Sequence, residues 1–333
     1  MAGREPGDTG DAGGAADVGG DVVTPELPLG AQLELPGRGT TFVRSLPGPA
    51  GAPVLLLLHG WTASADLNWY RCYEPLAEHY RVVALDHRGH GRGIRTRKTF
   101  RLEDCADDAV AVLDALGIET CIPVGYSMGG PIAQLIWRRH RSRVDGLVLC
   151  ATATHFARSR EERLSFLGIS GLAALARLTP AQARRWLTHQ MYLQRKVETW
   201  EPWAIREASL HDWRTVLEAG RAIGGFSSRD WLGEVDVPTS VIITMRDRVV
   251  PLRRQIRLFE TIPGAEAFRV DGDHDACVAN ARRFVATLHR ALHSVIERVD
   301  ERAERTEWAE RAERAERAER ADSPVGPAEG VRP

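Results

Sequence analysis

A serine pentapeptide between a strand-like run and a helix-like run constrains this chain more than any other feature. The sequence Gly-Tyr-Ser-Met-Gly occupies residues 125–129, after the apolar run 121–124 and before the helix-like run 131–140. Glycines on both sides of Ser127 permit a sharp strand-to-helix turn, which pushes the serine hydroxyl out toward a base. The pattern predicts that Ser127 is a nucleophile. The alternative is a glycine-rich turn that contains a serine by chance.

Apolar, β-rich runs alternate with stretches of helical spacing, such as 102–116 and 132–139, through the middle of the chain. Several runs are continuously apolar, as strands covered on both faces must be. The alternation predicts an α/β fold with a doubly wound, mostly parallel sheet of about eight strands, whose first two strands form a hairpin. The predicted strands are residues 31–35, 40–45, 53–58, 81–85, 121–124, 145–150, 239–244 and 267–270.

The alternation stops after the sixth run, and residues 155–231 carry helical patterning without a clear strand. An insertion at this point lies over the carboxyl edge of the sheet, where doubly wound proteins bind ligands. We therefore expect an apolar lid over a binding site. The alternative is that its tryptophans only pack the insertion onto the rest of the protein. The insertion holds five of the nine tryptophans: Trp186, Trp200, Trp203, Trp213 and Trp231.

These patterns divide the chain into a disordered leader (1–30), an α/β core (31–154 and 232–296), a helical lid (155–231) and a charged tail (297–333). The tail repeats Ala-Glu-Arg over residues 309–321, which places Glu and Arg at the helix-stabilising i,i+4 spacing. A period of three does not match 3.6 residues per turn, so the alanines form no fixed apolar seam. We expect a solvated, isolated helix or a disordered segment, with a weak interaction arm as the alternative.

Net charge and cysteine usage narrow the possible partners and surroundings. The formal charge of −1 gives no bulk attraction to nucleic acid or to an anionic membrane. The five cysteines are widely spaced, form no C-x-x-C pair, and are predicted to be reduced, buried thiols without a metal. Residues 1–20 lack the profile of a secretory signal, and the longest apolar run, 54–58, is far shorter than a membrane span. The expectation is a cytoplasmic protein.

His274 is the histidine best placed to act as a base for Ser127. It lies just after the last predicted strand, in the sequence Asp-Gly-Asp-His-Asp at 271–275. No other histidine follows a strand's carboxyl end downstream of the insertion. His289 and His293 lie one turn apart in the final helix, and we interpret them as surface or packing residues.

Asp247 is the predicted orienter of that base. It lies in the loop after the seventh strand and precedes His274, which satisfies the chain order Ser, Asp, His. The other position for the acid, after the sixth strand, holds Ala-Thr-Ala-Thr and no carboxylate. The alternative role for Asp247 is a surface salt bridge with Arg246 or Arg248, which contributes little.

Acyl transfer also needs amide donors for the oxyanion. We expect the backbone amide of Met128 to be one donor and the amide of Trp61, in the loop after the third strand, to be the second. His59 precedes the turn glycine Gly60, and we interpret it as a residue that holds this loop by hydrogen bonding.

Four ordered elements together resemble the α/β-hydrolase fold enzymes of the serine-esterase type. The resemblance covers about residues 31–295. It implies a catalytic triad of Ser127, Asp247 and His274, oxyanion donors at Trp61 and Met128, a helical lid between strands six and seven, and no cofactor. The elements are His-Gly-Trp at 59–61, Asp-His-Arg-Gly-His-Gly at 86–91, Gly-Tyr-Ser-Met-Gly-Gly at 125–130, and the loops of Asp247 and His274.

Some positions differ from the family or from its branches. Thr244 and Asp273 stand where many relatives have glycine. Epoxide hydrolases and haloalkane dehalogenases of the same fold resemble the chain less, because they use aspartate where Ser127 stands. The epoxide enzymes also usually carry proline where Thr62 stands.

A basic loop follows the fourth strand. Its glycines at 89, 91 and 93 do not match the dinucleotide pattern G-x-G-x-x-G. We interpret the loop as solvated, with an anchor for an acidic substrate group, such as a phosphate or a coenzyme A tail, as the alternative. Its basic residues are Arg88, Arg92, Arg95, Arg97, Lys98 and Arg101.

The predicted function is hydrolysis of carboxylic esters with an apolar acyl or alcohol part, through an acyl-enzyme on Ser127. A thioesterase, acyltransferase, carbon–carbon hydrolase or perhydrolase would use the same triad. A ligand-binding protein that kept the fold with little turnover is the non-enzymatic alternative. The expected partner is a small ester or acyl substrate; the sequence does not indicate an oligomeric state.

Overall fold

The computed structural model describes residues 25–157 and 202–322. Most of the predicted leader, Trp186 and Trp200 of the insertion, and the end of the tail lie outside the described residues.

Eight strands form one sheet, as predicted, in the order β1-β2-β4-β3-β5-β6-β7-β8. β2 runs antiparallel to both β1 and β4, and every other neighbouring pair is parallel. The β1–β2 pair is the predicted hairpin, with Leu35 opposite Gly39. The strands are β1 Gly30–Leu35, β2 Gly39–Leu46, β3 Val54–Leu58, β4 Arg81–Leu85, β5 Ile122–Tyr126, β6 Leu147–Cys150, β7 Thr239–Thr244 and β8 Glu266–Val270.

Helices cover both faces of the sheet, which explains the continuously apolar strands. Along β3, Leu56 and Leu58 pack into one apolar layer, while Leu55 and Leu57 pack into the layer on the opposite face. Burying each leucine stabilises the fold by roughly 1.5–3 kcal/mol. The described α-helices are α1 Ala65–Trp69, α2 Tyr73–Ala77, α3 Leu102–Ala115, α4 Gly129–Arg139, α5 Pro202–Ser209, α6 Trp213–Gly225, α7 Leu252–Thr261, α8 Ala276–Ala279 and α9 Ala281–Asp322.

The strand order changes direction at β3, whose neighbours are β4 on one side and β5 on the other. In an open parallel sheet, the loops that leave the carboxyl ends at such a point diverge and leave a crevice. The loops that follow β3 and β5 therefore border the crevice.

The described part of the insertion packs against the core through its aromatic side chains. Trp203 contacts Tyr70, with ring centroids 5.3 Å apart, and Trp231 stacks on Trp137 at 6.2 Å. Trp213 is also buried. These three tryptophans thus have the packing role that was the alternative to an apolar lid lining.

The final helix differs from the predicted isolated tail. α9 is continuous from the core into the tail, and the expected boundary at 296/297 falls inside it. Arg298 still belongs to the core, because its guanidinium donates to the carbonyls of Gly264 at 2.8 Å and Thr239 at 3.1 Å. Beyond Arg302, which donates to the carbonyl of Asp236, the helix leaves the body and Trp308 is 73% exposed.

All five cysteines are buried and free, as predicted. Among the helices of the two described ranges, none combines the length and the apolar composition that a bilayer crossing needs.

Candidate active site

Ser127 lies in a tight turn between β5 and α4. Its φ of 52° is in the left-handed region, which non-glycine residues rarely adopt. The turn is held on both sides of the residue: the amide of Ser127 donates to the carbonyl of Cys150 at 2.9 Å, and its carbonyl accepts from Thr152 Oγ1 at 2.8 Å. The backbone is therefore fixed in a strained conformation that points the hydroxyl of Ser127 toward His274.

The flanking glycines are required by close backbone contacts. A Cβ at Gly125 would lie 2.3 Å from the carbonyl oxygen of Gly129, and a Cβ at Gly129 would lie 2.1 Å from the carbonyl oxygen of Leu58. Both distances are far inside van der Waals contact. The prediction that glycine is needed on both sides of the serine is confirmed.

His274 follows β8 and faces the serine. Its Nε2 lies 2.9 Å from Ser127 Oγ. Two contacts hold its backbone: the amide donates to Asp273 Oδ1 at 2.7 Å, and the carbonyl accepts from the hydroxyl of Tyr126 at 2.7 Å. Tyr126 thus ties the strand that carries the serine to the loop that carries the histidine.

Asp247 lies on the far side of the His274 ring from Ser127. Its Oδ2 lies 2.8 Å from His274 Nδ1, and its Oδ1 accepts from the amides of Val249 at 2.8 Å and Val250 at 2.7 Å. A carboxylate at Nδ1 places the imidazole proton there, so the Nε2 lone pair points at the hydroxyl of Ser127. The sequence-predicted triad residues are all brought together.

The alternative partners of Asp247 are engaged elsewhere. Arg246 pairs with Asp271 at 2.8 Å, and Arg248 pairs with Asp273 at 2.5 Å. Burial on its own would raise the pKa of Asp273, but hydrogen bonds from the amides of Arg248 and His274 and from the Arg248 guanidinium outweigh it and lower that pKa. The carboxylates of Asp271 and Asp273 are therefore paired with arginines and are not partners of the His274 imidazole or of Asp247.

The loop after β3 approaches the serine and offers a free amide. A Cβ at Gly60 would lie 3.4 Å from the Cβ of Ser127, so the two turns are in contact. The amide of Gly60 is used, since it donates to Asn68 Oδ1 at 2.9 Å. Within the described residues, the amides of Trp61 and Met128 have no hydrogen-bond acceptor. They remain available for an oxyanion.

His59 supports this loop, as predicted. Its Nδ1 donates to the carbonyl of Gly60 at 2.8 Å, and its Nε2 accepts from the amide of His87 at 2.9 Å. One nitrogen must donate and the other must accept, so the ring is neutral. Burial, together with His87, lowers the pKa of His59 well below its ordinary value.

Sequence reasoning missed two side chains at this site. Thr244 Oγ1 donates to Asp247 Oδ2 at 2.7 Å, and Gln255 Nε2 lies 3.2 Å from the same oxygen. Thr244 was noticed only as a departure from the family pattern. Gln255 belongs to no motif. Its place in the first turn of α7, eight residues after Asp247, is the one sequence feature that could have indicated a contact with the acid.

The basic loop is packed against the core at its start and is exposed further along. Arg88 donates to Asp108 at 2.8 Å from two nitrogens, and Arg92 donates to Asp66 at 2.6 Å. Arg95 donates to the carbonyls of Gly93 and Leu210. Arg88 is buried and Arg92 is half-buried in these ion pairs, whereas the remaining basic residues of the loop, Arg95, Arg97, Lys98 and Arg101, are exposed, as expected for a solvated loop. Asp108 is buried beneath Arg88.

No cluster of His, Cys, Asp or Glu side chains within the described residues has the arrangement of a metal site.

Comparison with known proteins agrees with this architecture. The family profile of the alpha/beta hydrolase fold matches residues 53–281. The proposed carbamate hydrolase RutD of Agrobacterium fabrum is 31% identical over 67% of this chain and 85% of its own length. Epoxide hydrolase B of Mycobacterium tuberculosis is 37% identical, but over only 33% of this chain and 32% of its own.

Among solved structures, a thermophilic esterase from Thermogutta terrifontis superposes with a TM-score of 0.66 at 22% identity, covering 80% of this chain and 99% of the esterase. At this identity the likeness concerns the fold alone. The family profile spans well over half of the chain, and the sheet order and the serine turn are those described above. The chain belongs to the alpha/beta hydrolase fold family.

Proposed function

We propose that this protein is a serine hydrolase that cleaves carboxylic esters with an apolar acyl or alcohol part through an acyl-enzyme. The observation that carries the proposal is the unbroken hydrogen-bonded chain from Ser127 Oγ to His274 at 2.9 Å and from His274 to Asp247 at 2.8 Å. A nucleophile, a base and an orienter in this geometry are what acyl transfer requires.

In the proposed reaction, Ser127 Oγ attacks the ester carbonyl while His274 Nε2 accepts the hydroxyl proton. The amides of Trp61 and Met128 stabilise the oxyanion, and Asp247 stabilises the imidazolium. His274 then gives the proton to the departing alkoxide. The alcohol is released, and the acyl group remains bound to Ser127. Water, deprotonated by His274, hydrolyses this intermediate and restores the enzyme.

Epoxide opening does not fit the nucleophile, despite the partial likeness to epoxide hydrolase B. An aspartate that opens an epoxide forms an ester, which water can hydrolyse. A serine would form an ether, which water does not cleave under these conditions. Ser127 would therefore be alkylated once and would not turn over.

Carbamate hydrolysis is the second candidate, because the relative RutD is named for that activity and matches two thirds of this chain. The same triad can attack a carbamate carbonyl. The carbamate nitrogen donates electron density to that carbon, so both acylation and release of the carbamoyl group are slower than for an ester. We therefore rank esters first.

We propose that residues 31–154 and 232–296 form the catalytic core, that 155–231 form a cap beside the site, and that 1–30 and 297–333 are not needed for chemistry.

The test compares wild type, Ser127→Ala and the control Ser142→Ala, which changes an exposed serine in the turn Arg141–Arg143. Substrates are p-nitrophenyl esters of graded acyl length and the matched N-alkyl carbamates. We expect ester turnover by wild type and Ser142→Ala, and a loss of about a millionfold in Ser127→Ala. Faster turnover of carbamates would move the assignment to the second candidate. A Ser127→Ala protein that keeps most of its activity would refute both.

A further inference from the structure

Thr62, the residue after the proposed oxyanion donor Trp61, has an unusual backbone conformation. Its φ is 61°, in the left-handed region. This conformation is an outlier for a β-branched residue and costs on the order of 1–3 kcal/mol. Such a residue keeps its conformation only when surrounding contacts hold it. The direction of the neighbouring amide of Trp61 depends on the same turn.

One of these contacts comes from the insertion. His211, between α5 and α6, is buried, with an exposed fraction of 7%. Its Nδ1 accepts from the amide of Gly91 at 2.7 Å, and its Nε2 lies 3.1 Å from the carbonyl oxygen of Thr62. Because Nδ1 faces a donor, the ring proton is on Nε2, and His211 donates to Thr62.

The insertion also holds the side chain of Trp61. The indole Nε1 donates to the carbonyl of Val216 in α6 at 2.6 Å. One turn further along α6, a Cβ at Gly220 would lie 2.7 Å from Cζ2 of the indole. The helix thus accommodates this ring only because residue 220 has no side chain. The indole of Trp61 is therefore held by α6. Its backbone is held by His211, through the hydrogen bond to the next residue, Thr62.

We propose that His211 is a positioning residue for the oxyanion site: its hydrogen bond to Thr62 holds the turn that aims the amide of Trp61 at the reacting carbonyl. Val216 and Gly220 of α6 complete the same support. This rests on the proposed function only in taking Trp61 as an oxyanion donor. The insertion is then part of the catalytic apparatus and not only a cover.

The experiment measures the rate constant for labelling of Ser127 by a fluorophosphonate, whose phosphoryl oxygen occupies the oxyanion site. This readout does not depend on the natural substrate. In His211→Leu we expect labelling to be at least about tenfold slower, since losing one oxyanion donor costs about a hundredfold or more and displacing one costs less. His211→Gln can accept and donate from neighbouring atoms, and we expect it to recover to within about threefold.

Gly220→Ala gives an independent variant that does not weaken its helix. Alanine favours a helix over glycine by about 1 kcal/mol, which offsets part of the cost of displacing the indole, about 1–3 kcal/mol, so the protein should stay folded. The added Cβ displaces the indole of Trp61, and labelling should slow by about threefold or more. The control Arg214→Met removes a contact from α6 to the carbonyl of Thr96 that does not reach Trp61 or Thr62. It should label at the wild-type rate.

Ester kinetics, normalised to the titrated sites, should show kcat reduced in His211→Leu with KM within about threefold, because the oxyanion forms only after attack. Wild-type labelling rates in both His211→Leu and Gly220→Ala would overturn the inference. An Arg214→Met protein that slows as much as His211→Leu would also overturn it, since general loosening of the insertion would then explain the loss. A wild type that is labelled but cleaves no ester refutes the proposed substrate class and leaves the labelling comparison valid. A wild type that is not labelled overturns both.

Discussion

The hydroxyl of Thr244, at the end of β7, donates a 2.7 Å hydrogen bond to Oδ2 of Asp247, the same oxygen that faces His274. Gln255 fixes this hydroxyl: its Oε1 accepts from the amide of Thr244 at 3.0 Å, and its Nε2 donates to Thr244 Oγ1 at 2.9 Å. The threonine therefore has its one proton directed at the carboxylate. Thr244 thus gives the acid a hydroxyl donor beside the amides of Val249 and Val250 and the imidazole of His274.

Thr244→Val should lower kcat for ester hydrolysis by about tenfold with little change in KM, because one hydrogen bond to a charged group is lost at nearly constant volume. Thr244→Ser keeps the hydroxyl and should retain most of the activity. Steady-state kinetics on a p-nitrophenyl ester would measure both. Equal kcat values for Thr244→Val and wild type would show that the hydroxyl does not support the acid.

Asp247→Asn should reduce kcat by about ten-thousandfold. The amides of Val249 and Val250 donate to Oδ1, so the asparagine oxygen must stay there and its NH₂ group must take the place of Oδ2. That group donates to His274 Nδ1, which moves the imidazole proton to Nε2 and removes the base that faces Ser127. Kinetics with active-site titration would test this; a loss smaller than about a hundredfold would contradict the assignment of Asp247.

Stability should fall as the pH decreases from about 6.5 toward 4, because the core holds buried histidines in the neutral form. Burial, with neighbouring His90 and Arg88, lowers the pKa of His87 to about 3, and burial lowers the pKa of His211 to about 4. The unfolded chain takes up these protons in that range while the folded chain does not. Their contribution to the free energy of unfolding is complete above the pKa of an unfolded histidine. It is lost as the pH falls below that value toward the lowered pKa of the folded protein.

Asp86 acts in the opposite direction. Burial raises its pKa to about 6, so its contribution favours the folded state at low pH and is lost as the pH rises through 6. Burial also raises the pKa values of Asp108, Asp145 and Glu207, which act with Asp86. The histidines whose pKa values burial lowers are more numerous: His59, His87, His90, His211 and His289. The net slope should therefore follow the histidines, by up to about 1.4 kcal/mol per pH unit for each one.

His87→Leu should make the urea unfolding midpoint less dependent on pH between about 4.5 and 6.5, where an unfolded histidine takes up its proton and the buried one does not. Both ring nitrogens of His87 are buried without a hydrogen-bond partner in the described part of the chain, so leucine leaves no donor unpaired there. His293→Gln changes an exposed histidine of α9 and serves as the control. An unchanged pH dependence in His87→Leu would contradict the buried, neutral state of this ring.

Deleting residues 307–333 should leave kcat unchanged and the Tm within a few degrees of wild type, because the last contact of α9 with the core in the described part of the chain is at Arg302. Deleting residues 297–333 removes Arg298 and its contacts to Gly264 and Thr239 as well, and should lower the Tm clearly. Thermal unfolding of both truncated proteins would check this. A large loss of stability in the shorter deletion would assign the projecting helix a structural role.

The sequence by itself determined the strands, the hairpin and the residues at the turn of Ser127, because period and turn chemistry are local properties. It also singled out Asp247 and His274, since each follows a strand that must end at the same edge of the sheet. Only the tertiary structure decided which side chains support them. His211 meets Thr62 across 149 residues, and Arg88 meets Asp108 across 20. No local pattern encodes such contacts, because they depend on how the insertion and the helices pack against the sheet.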